Sequence, residues 1–271
     1  MAGKTYVITS GKGGVGKTTT TANLGAGLAL RGHKVAVVDT DIGLRNLDVV
    51  MGLENRIVYD LVDVVEGRCR LPQAMIRDKY VKDLCLIPAA QTRDKSALNP
   101  EQMKELCQQL REEFDYILID CPAGIEQGFQ NAIAAADNAI VVTTPEVSAI
   151  RDADRVIGLL EASDIPTPRL VINRLKPGMI KQGDMMDKGD IMDLLSVDML
   201  GLVPDDEQII VSTNKGVPTV HDPKSWAGEA YRRIAARMDG VDTPYLDIES
   251  APGFFSKLKK IFARPTKELG R

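Results

Sequence analysis

The sequence is short of several features that define other classes of protein. Its 271 residues include only four cysteines, at positions 69, 85, 107 and 121, with no CxxC pair and no neighbouring histidine cluster. This spacing disfavours a zinc or redox site, and we expect reduced thiols that pack in the interior. No apolar run approaches the 18 or so residues of a membrane span, and we expect no secretory or transit peptide.

Composition and charge narrow the class further. Hydrophobic residues make up 44% and charged residues 27%, which is typical of a folded, soluble chain of one large or two small domains. The net charge of −4 is uneven, because residues 253–271 hold six Lys/Arg and one Glu. An acidic body is a poor general binder of nucleic acid, whereas a basic tail attracts an anionic surface.

Seven short apolar runs rich in β-branched residues predict seven strands. They are continuous rather than alternating, which is typical of strands buried on both faces of a parallel sheet. Helical stretches lie between them, so we predict a three-layer, doubly wound α/β fold with a mainly parallel sheet of about seven or eight strands. The predicted strands are 6–8, 35–38, 84–87, 116–119, 139–142, 170–172 and 199–203, and the predicted helices are 17–30, 57–66, 100–113, 128–136, 147–162, 187–195 and 224–238.

The pattern changes after Gly240. Residues 241–252 contain two prolines and several acids, which predicts a linker that leaves the globular body. We therefore divide the chain into a globular domain at 1–240, a linker at 241–252, a helix at 253–264 and a tail at 265–271.

A phosphate-binding loop follows the first predicted strand. Residues 11–18 read GKGGVGKT, which satisfies the pattern GxxxxGK[ST], and a helix-forming stretch comes next. Glycines let backbone amides surround phosphate oxygens, the lysine reaches the β- and γ-phosphates, and the threonine hydroxyl binds Mg²⁺. The candidate nucleotide-binding residues here are Gly11, Lys12, Gly13, Gly14, Val15, Gly16, Lys17, Thr18 and Thr19.

Carboxylates follow two other strands. Asp39 and Asp41 end the second strand, and Asp120 ends the fourth, where ligands bind in such sheets. We predict that Asp120 lies on the metal side of the site together with Thr18, acting through a metal-bound water. We predict different roles for Asp39 and Asp41. Asp39 is expected near the metal, with a structural role as the alternative.

The second lysine of the loop, Lys12, is not required by the general pattern, and a solvated charge is the plain interpretation. GKGGVGKT nevertheless resembles the deviant Walker A loop of the MinD/ParA superfamily of ATPases. The resemblance implies that Lys12 reaches the phosphates of a partner subunit in an ATP-bound dimer. It also implies that Asp41 positions or deprotonates the attacking water, and that Gly124 follows the γ-phosphate.

The same resemblance locates the adenine site. Asn173-Arg174, after the sixth strand, and Pro204-Asp205, after the seventh, match the family positions that surround the base. An asparagine amide can both donate to and accept from an adenine edge. No NKxD-like element of GTP-binding proteins is present, which favours ATP as the nucleotide.

The C-terminal segment is amphipathic. The apolar residues Phe254, Phe255, Leu258, Ile261 and Phe262 fall on one helical face, and the basic residues Lys257, Lys259, Lys260 and Arg264 surround them. This pattern predicts a helix that lies in the interface of an anionic membrane. Packing on the chain's own core or in a partner's groove are the alternatives. Two tails on a dimer would bind a membrane far more tightly than one.

Longer segments, including DTDIGLRNLD, DCPAGIE and TTPEVSAIRDADR, are similar to the MinD family of division-site-selection ATPases. The resemblance implies a cytoplasmic protein that binds the inner face of the cell membrane reversibly. It implies recruitment of the inhibitor MinC, which blocks FtsZ ring assembly away from midcell, and ATPase stimulation by MinE. It places the partner surface near Arg151, Asp152 and Asp154, for which a solvated charged face is the alternative.

Other functions stay open at this point. A chromosome or plasmid partition ATPase of the ParA type would need a DNA-binding surface, and no specific nucleic-acid binding is expected of this acidic body. A phosphate-loop metabolic enzyme would need a dedicated small-molecule pocket and no second lysine. An iron–sulfur ATPase of the nitrogenase-reductase type would need cysteines that are not suitably placed here.

Overall fold

The apolar runs assemble into one eight-stranded sheet with the order β3-β4-β2-β5-β1-β6-β7-β8. A computed structural model of the chain describes residues 2–165 and 167–248. All neighbouring strands are parallel except β3, which pairs antiparallel with β4 at the sheet edge. The strands are β1 (Lys4–Thr9), β2 (Val35–Asp39), β3 (Ile76–Arg77), β4 (Leu84–Ile87), β5 (Tyr116–Asp120), β6 (Asn138–Thr143), β7 (Arg169–Leu175) and β8 (Met199–Pro204).

Helices cover both faces of the sheet. The step from β1 to β2 runs along the sheet in the opposite direction to the steps from β6 to β7 and β7 to β8. Right-handed crossovers therefore place α1 on one face and α7 and α9 on the other. The helices are α1 (Lys17–Leu30), α2 (Leu47–Val50), α3 (Leu61–Val65), α4 (Leu71–Ala74), α5 (Pro100–Glu113), α6 (Gln127–Ile133), α7 (Val147–Glu161), α8 (Pro177–Gln182), α9 (Lys188–Leu195), α10 (Gln208–Asn214) and α11 (Trp226–Met238).

The predicted fold class is confirmed, and the differences are local. Strand β3 was not predicted because two residues carry no periodic signal. The predicted helix at 57–66 begins only at Leu61, because the Asp60 carboxylate accepts hydrogen bonds from the amides of Val62 and Asp63 and caps it. The prediction also missed α2, α4, α8 and α10, none of which exceeds seven residues.

The described part of the predicted linker contacts the body. We call residues 241–248 the strap. Its Tyr245 hydroxyl donates to the carbonyl of Met199 at 2.9 Å, and Arg237 of α11 donates to the carbonyl of Thr243 at 2.8 Å. Leu246 is buried as well. The strap therefore packs on the body and does not leave it at 240, whereas residues 249–252 lie outside the described residues.

The predicted membrane segment, 253–264, and the tail at 265–271 also lie outside the described residues. Among the helices that the structure describes, none is both long and apolar enough to cross a bilayer. The division of the chain into domain, linker and terminal helix therefore stays a prediction.

Candidate nucleotide-binding site

The phosphate loop connects β1 to α1 and encloses the amine of Lys17. Both Ser10 and Lys17 are buried. The Lys17 Nζ donates to the Ser10 hydroxyl at 3.0 Å, and that hydroxyl donates to the carbonyl of Lys12 at 2.7 Å. A positive charge is thus fixed at the N-terminus of α1, where the helix dipole also favours an anion.

Gly16 closes the loop against β7. Its φ is +102°, and a Cβ there would lie 2.4 Å from the side-chain nitrogen of Asn173. That nitrogen donates to the carbonyl of Val15 at 2.8 Å, and the amide oxygen of Asn173 accepts from the Arg174 amide at 2.9 Å. The sequence predicts Asn173 and Arg174 after the strand. In the structure both residues lie within β7. The structure gives the buried Asn173 side chain a loop-bracing role.

Helix α7 packs directly on the phosphate loop. A Cβ on Gly11 would lie 2.2 Å from the backbone oxygen of Asp152, so only glycine fits at this contact. Lys12 is exposed, and its amine donates to the Ser148 hydroxyl at 3.1 Å. Arg151 and Asp154 are exposed on the same helix, whereas Asp152 is half-buried. The predicted partner residues thus lie on the helix that packs against the phosphate loop.

Two buried carboxylates lie side by side at the ends of β2 and β5. Asp39 and Asp120 are register neighbours in the parallel ladder and are 1% and 2% exposed. Burial raises the pKa of both, and the charge of Asp120 raises the pKa of Asp39 further. Hydrogen bonds from Thr18 and Thr21 and the charge of Lys17 oppose this rise at Asp120.

The contacts of Asp39 differ from those expected of a metal ligand. One of its oxygens accepts from the Asp41 amide at 2.9 Å, and the other accepts from the amides of Asn46 and Leu47 at 3.3 and 3.2 Å. Three backbone donors therefore occupy this carboxylate. Asp39 shapes the loop that carries Asp41, which agrees with the structural alternative for this residue.

The carboxyl ends of β2 and β5 are joined. The Thr40 hydroxyl donates to the carbonyl of Asp120 at 2.7 Å. Asp41 and Pro122 line one small crevice, and Gly124 has a φ of +96°. The hydrogen bond thus ties the residue before Asp41 to the end of β5, which leads into the segment that contains Gly124.

A cavity of about 760 Å³ opens beside Gly16 and Thr19 at the ends of β6, β7 and β8. Three of the predicted base-binding residues, Asn173, Arg174 and Asp205, line it, whereas Pro204 is buried at the end of β8. Several other lining residues were not predicted from the sequence, because only the folded sheet brings their segments together. These are Pro145, Glu146, Met185, Met186, Asp206, Glu207 and Ile210.

Asp206 anchors the floor of this cavity. Its carboxylate accepts from the Ser225 hydroxyl at 2.9 Å, the Ala227 amide at 3.0 Å and the Gln208 amide at 2.9 Å. Burial would raise the pKa of Asp206, but these hydrogen bonds hold it below its usual value. The run of acids at 205–207 just before a helix was the available sequence signal.

The residues fit a nucleotide with a divalent cation. Mg²⁺ prefers oxygen ligands, and the Thr18 hydroxyl lies beside the Asp120 carboxylate. The neighbouring pair of buried carboxylates also has raised pKa values, which a nearby cation would offset. The cavity at the base side is large enough for a nucleoside.

Comparisons with known proteins agree with this geometry. Residues 3–163 match the AAA domain family. The septum site-determining protein MinD of Bacillus subtilis is 59% identical over 263 residues, covering 96% of this chain and 98% of that protein.

Solved structures show the same relation. The MinC:MinD cell division protein complex of Aquifex aeolicus contains a chain that is 46% identical, with a TM-score of 0.84 and coverage of 89% and 98% of the two chains. The Pyrococcus horikoshii MinD complexed with Mg-ADP is 30% identical, with a TM-score of 0.79 and coverage of 87% and 96%. With its phosphate loop, its paired carboxylates and these relatives, the chain belongs to the MinD family of septum site-determining cell division ATPases.

Proposed function

We propose that this chain is a Mg²⁺-dependent ATPase switch that places the division site. In this proposal its ATP-bound dimer binds anionic membrane through residues 253–264 and recruits MinC, and MinE-stimulated hydrolysis releases it. The observation that carries the proposal is the enclosed Lys17 amine, held by Ser10 beside the Asp39–Asp120 pair.

The phosphate side of the site supports binding and hydrolysis. Lys17 and the amides of the phosphate loop would bind the phosphates. Thr18 and Asp120 would hold Mg²⁺, which would neutralise phosphate charge. Asp39 holds the backbone of Asp41 in place through its amide. Asp41 then positions the attacking water and accepts its proton.

The position of Lys12 supports coupling to dimerisation. Its amine is exposed and contacts Ser148 of α7, whereas the amine of Lys17 is the one enclosed by the loop. Lys12 is thus accessible to a second copy of the chain and would stabilise phosphoryl transfer only when two subunits meet.

The neighbouring ends of β2 and β5 support a switch. Thr40 is hydrogen-bonded to the Asp120 carbonyl, so the segments of Asp41 and Gly124 start from one fixed point. In this proposal loss of the γ-phosphate releases both segments. A dimer presents two basic amphipathic tails, and the gain in avidity makes membrane attachment depend on the nucleotide.

Sedimentation with vesicles of phosphatidylglycerol and phosphatidylcholine tests the proposal. We expect the full chain to pellet with ATP and not with ADP, and the chain that ends at Pro252 to stay in solution with either nucleotide. Neutral phosphatidylcholine vesicles are the control for the charge requirement.

Absence of pelleting in every nucleotide state would contradict the membrane proposal. Salt-sensitive retention of the ATP form on DNA would then favour the ParA-type partition function. The relatives reported above make that alternative the weaker one.

A further inference from the structure

An apolar groove between α7 and α9 adjoins the nucleotide cavity but has no part in the proposed function. Its cavity measures about 230 Å³, and its apolar lining includes Val147, Ile150, Met186, Leu194 and Leu195. Val147 and Leu194 are each 60% exposed, which is unusual for large aliphatic side chains on helices. Exposed apolar clusters of this kind favour a binding partner.

We propose that this groove, here called the α7–α9 groove, is a docking site for the chain's own basic amphipathic segment, residues 253–264, when that segment is off the membrane. The inference rests on the proposed function in one respect, because it takes the segment to be the membrane-binding element. It adds a regulation that the proposed function does not include.

The path of the chain brings the segment to the groove. The strap passes around the edge strand β8, and its Tyr245 ring lies between Arg237 of α11, at 3.7 Å, and Lys188 of α9, at 4.5 Å. Since α1 and α11 cover one face and α9 the other, Tyr245 lies at the sheet edge between them, beside the face that carries the groove.

The remaining distance is short. From Lys188 in the first turn of α9 to Leu194 in its last turn is about 9 Å along the helix axis. The nine residues from Tyr245, which contacts Lys188, to Phe254 span up to about 30 Å when extended. The chain after Tyr245 is therefore long enough to place an aromatic side chain of the segment in the α7–α9 groove.

Charge also fits this occupant. The groove lining holds one acid and one base, and the exposed charged residues of α9 with its capping residue add three acids and one base, so the surroundings of the groove are acidic on balance. The acids are Asp154, Asp187, Asp190 and Asp193, and the bases are Arg151 and Lys188. Residues 253–271 carry six basic residues and one acid. The segment thus offers apolar residues to the groove and basic residues to its surroundings, the same pattern that it offers to an anionic membrane.

The groove adjoins the nucleotide site and the predicted partner surface. Val147 and Met186 line both the groove and the larger cavity, and Arg151 and Asp154 lie on the groove wall. A docked segment would therefore cover the predicted partner residues. Transfer of the segment to a membrane would uncover them, so partners would bind preferentially at the membrane.

A disulfide pair tests docking in the full chain. In a Cys69→Ser background, which removes the least buried thiol, Leu194→Cys is combined with Leu258→Cys. We expect an intramolecular disulfide in vesicle-free ADP solution, and its loss when ATP and phosphatidylglycerol vesicles are added. The control pair, Leu30→Cys with Leu258→Cys, uses an exposed leucine on the opposite face of the sheet and should not cross-link.

Equal cross-linking of the two pairs, or none in either, would overturn the proposal. A disulfide found only between chains would assign the groove to a second copy, which also overturns it.

Leu194→Glu gives an independent readout, and the exposure of Leu194 makes the change compatible with folding. If the segment is free for about a tenth of the time, its release raises the apparent affinity for vesicles about tenfold in ADP. Leu30→Glu is the matched control and should bind as the unchanged chain does. If Leu194→Glu binds vesicles no more tightly than the original sequence does, docking is contradicted. If the original sequence fails to bind vesicles in every nucleotide state, the proposed function is contradicted, and the disulfide result then decides docking.

Discussion

The two halves of the nucleotide site are built differently, although both lie at the carboxyl edge of one sheet. On the phosphate side, at β1, β2 and β5, the functional groups Ser10, Lys17, Asp39 and Asp120 are buried. On the base side, at β6 to β8, most lining groups, such as Arg174 and Asp205, are exposed around an open cavity.

The difference follows from the chemistry that each half supports. Charge that develops in phosphoryl transfer is stabilised best by groups fixed in advance and shielded from water. A base, in contrast, must enter and leave, and its recognition requires contact area more than strong fields. We therefore expect substitutions on the phosphate side to have large effects and those at exposed positions on the base side to have small ones.

Lys17→Ala should have the largest effect. It removes the charge enclosed by the loop, and two charge-assisted hydrogen bonds at about 2 kcal/mol each correspond to roughly a thousandfold loss of ATP affinity. Titration with a fluorescent ATP analogue measures the loss. Lys104→Ala, at an exposed lysine of α5, is the control. Retention of ATP affinity within tenfold would show that the loop does not bind the phosphates through this residue.

Asp41→Ala should separate binding from hydrolysis. Loss of a general base lowers the hydrolysis rate by about a hundredfold or more, while ATP stays bound and the dimer accumulates. Phosphate release and sedimentation equilibrium measure the two quantities, with Asp198→Ala at an exposed position as the control. Equal loss of nucleotide in Asp41→Ala and Lys17→Ala would refute this division of roles.

Asn173→Ala tests a buried residue that joins the two halves. The change leaves the Val15 carbonyl and the Arg174 amide without their partner, which costs about 1–3 kcal/mol. Since about 1.4 kcal/mol corresponds to a tenfold change in affinity, we expect ATP to bind about tenfold more weakly. We also expect unfolding at a lower urea concentration. Asn55→Ala, at an exposed asparagine, should change neither quantity. A loss of affinity without a loss of stability would indicate that Asn173 contacts the base and does not brace the loop.

Lys176→Ala should have the smallest effect. The Lys176 and Asp205 side chains form an ion pair at 3.4 Å and are 51% and 45% exposed. Exposed pairs contribute about 0.5 kcal/mol or less, so ATP affinity should change by less than about threefold, and less still at high salt. A tenfold change in affinity would place Lys176 in direct contact with the nucleotide and would weaken the contrast between the two halves.

Sequence reasoning succeeded where one short segment contains the whole signal. Residues 11–18 carry their own loop geometry, and α1 follows as predicted over 17–30. It was less informative about Asp39, because the three amides that occupy its carboxylate come from residues 41, 46 and 47 in a loop with no periodic pattern. The prolines of residues 241–252 predicted a linker. The contacts that hold the strap, at Thr243 and Tyr245, come from residues of α9, α11 and β8.

The sequence by itself determined the alternation of strands and helices, the phosphate loop and the positions of Asp39, Asp41 and Asp120 at strand ends, because each depends on neighbours along the chain. The tertiary structure alone decided which groups meet: Asn173 with Val15, Gly11 with Asp152, Lys12 with Ser148, and the α7–α9 groove beside the strap. These contacts join residues far apart in sequence, so they depend on sheet order and crossover handedness, which no local pattern records.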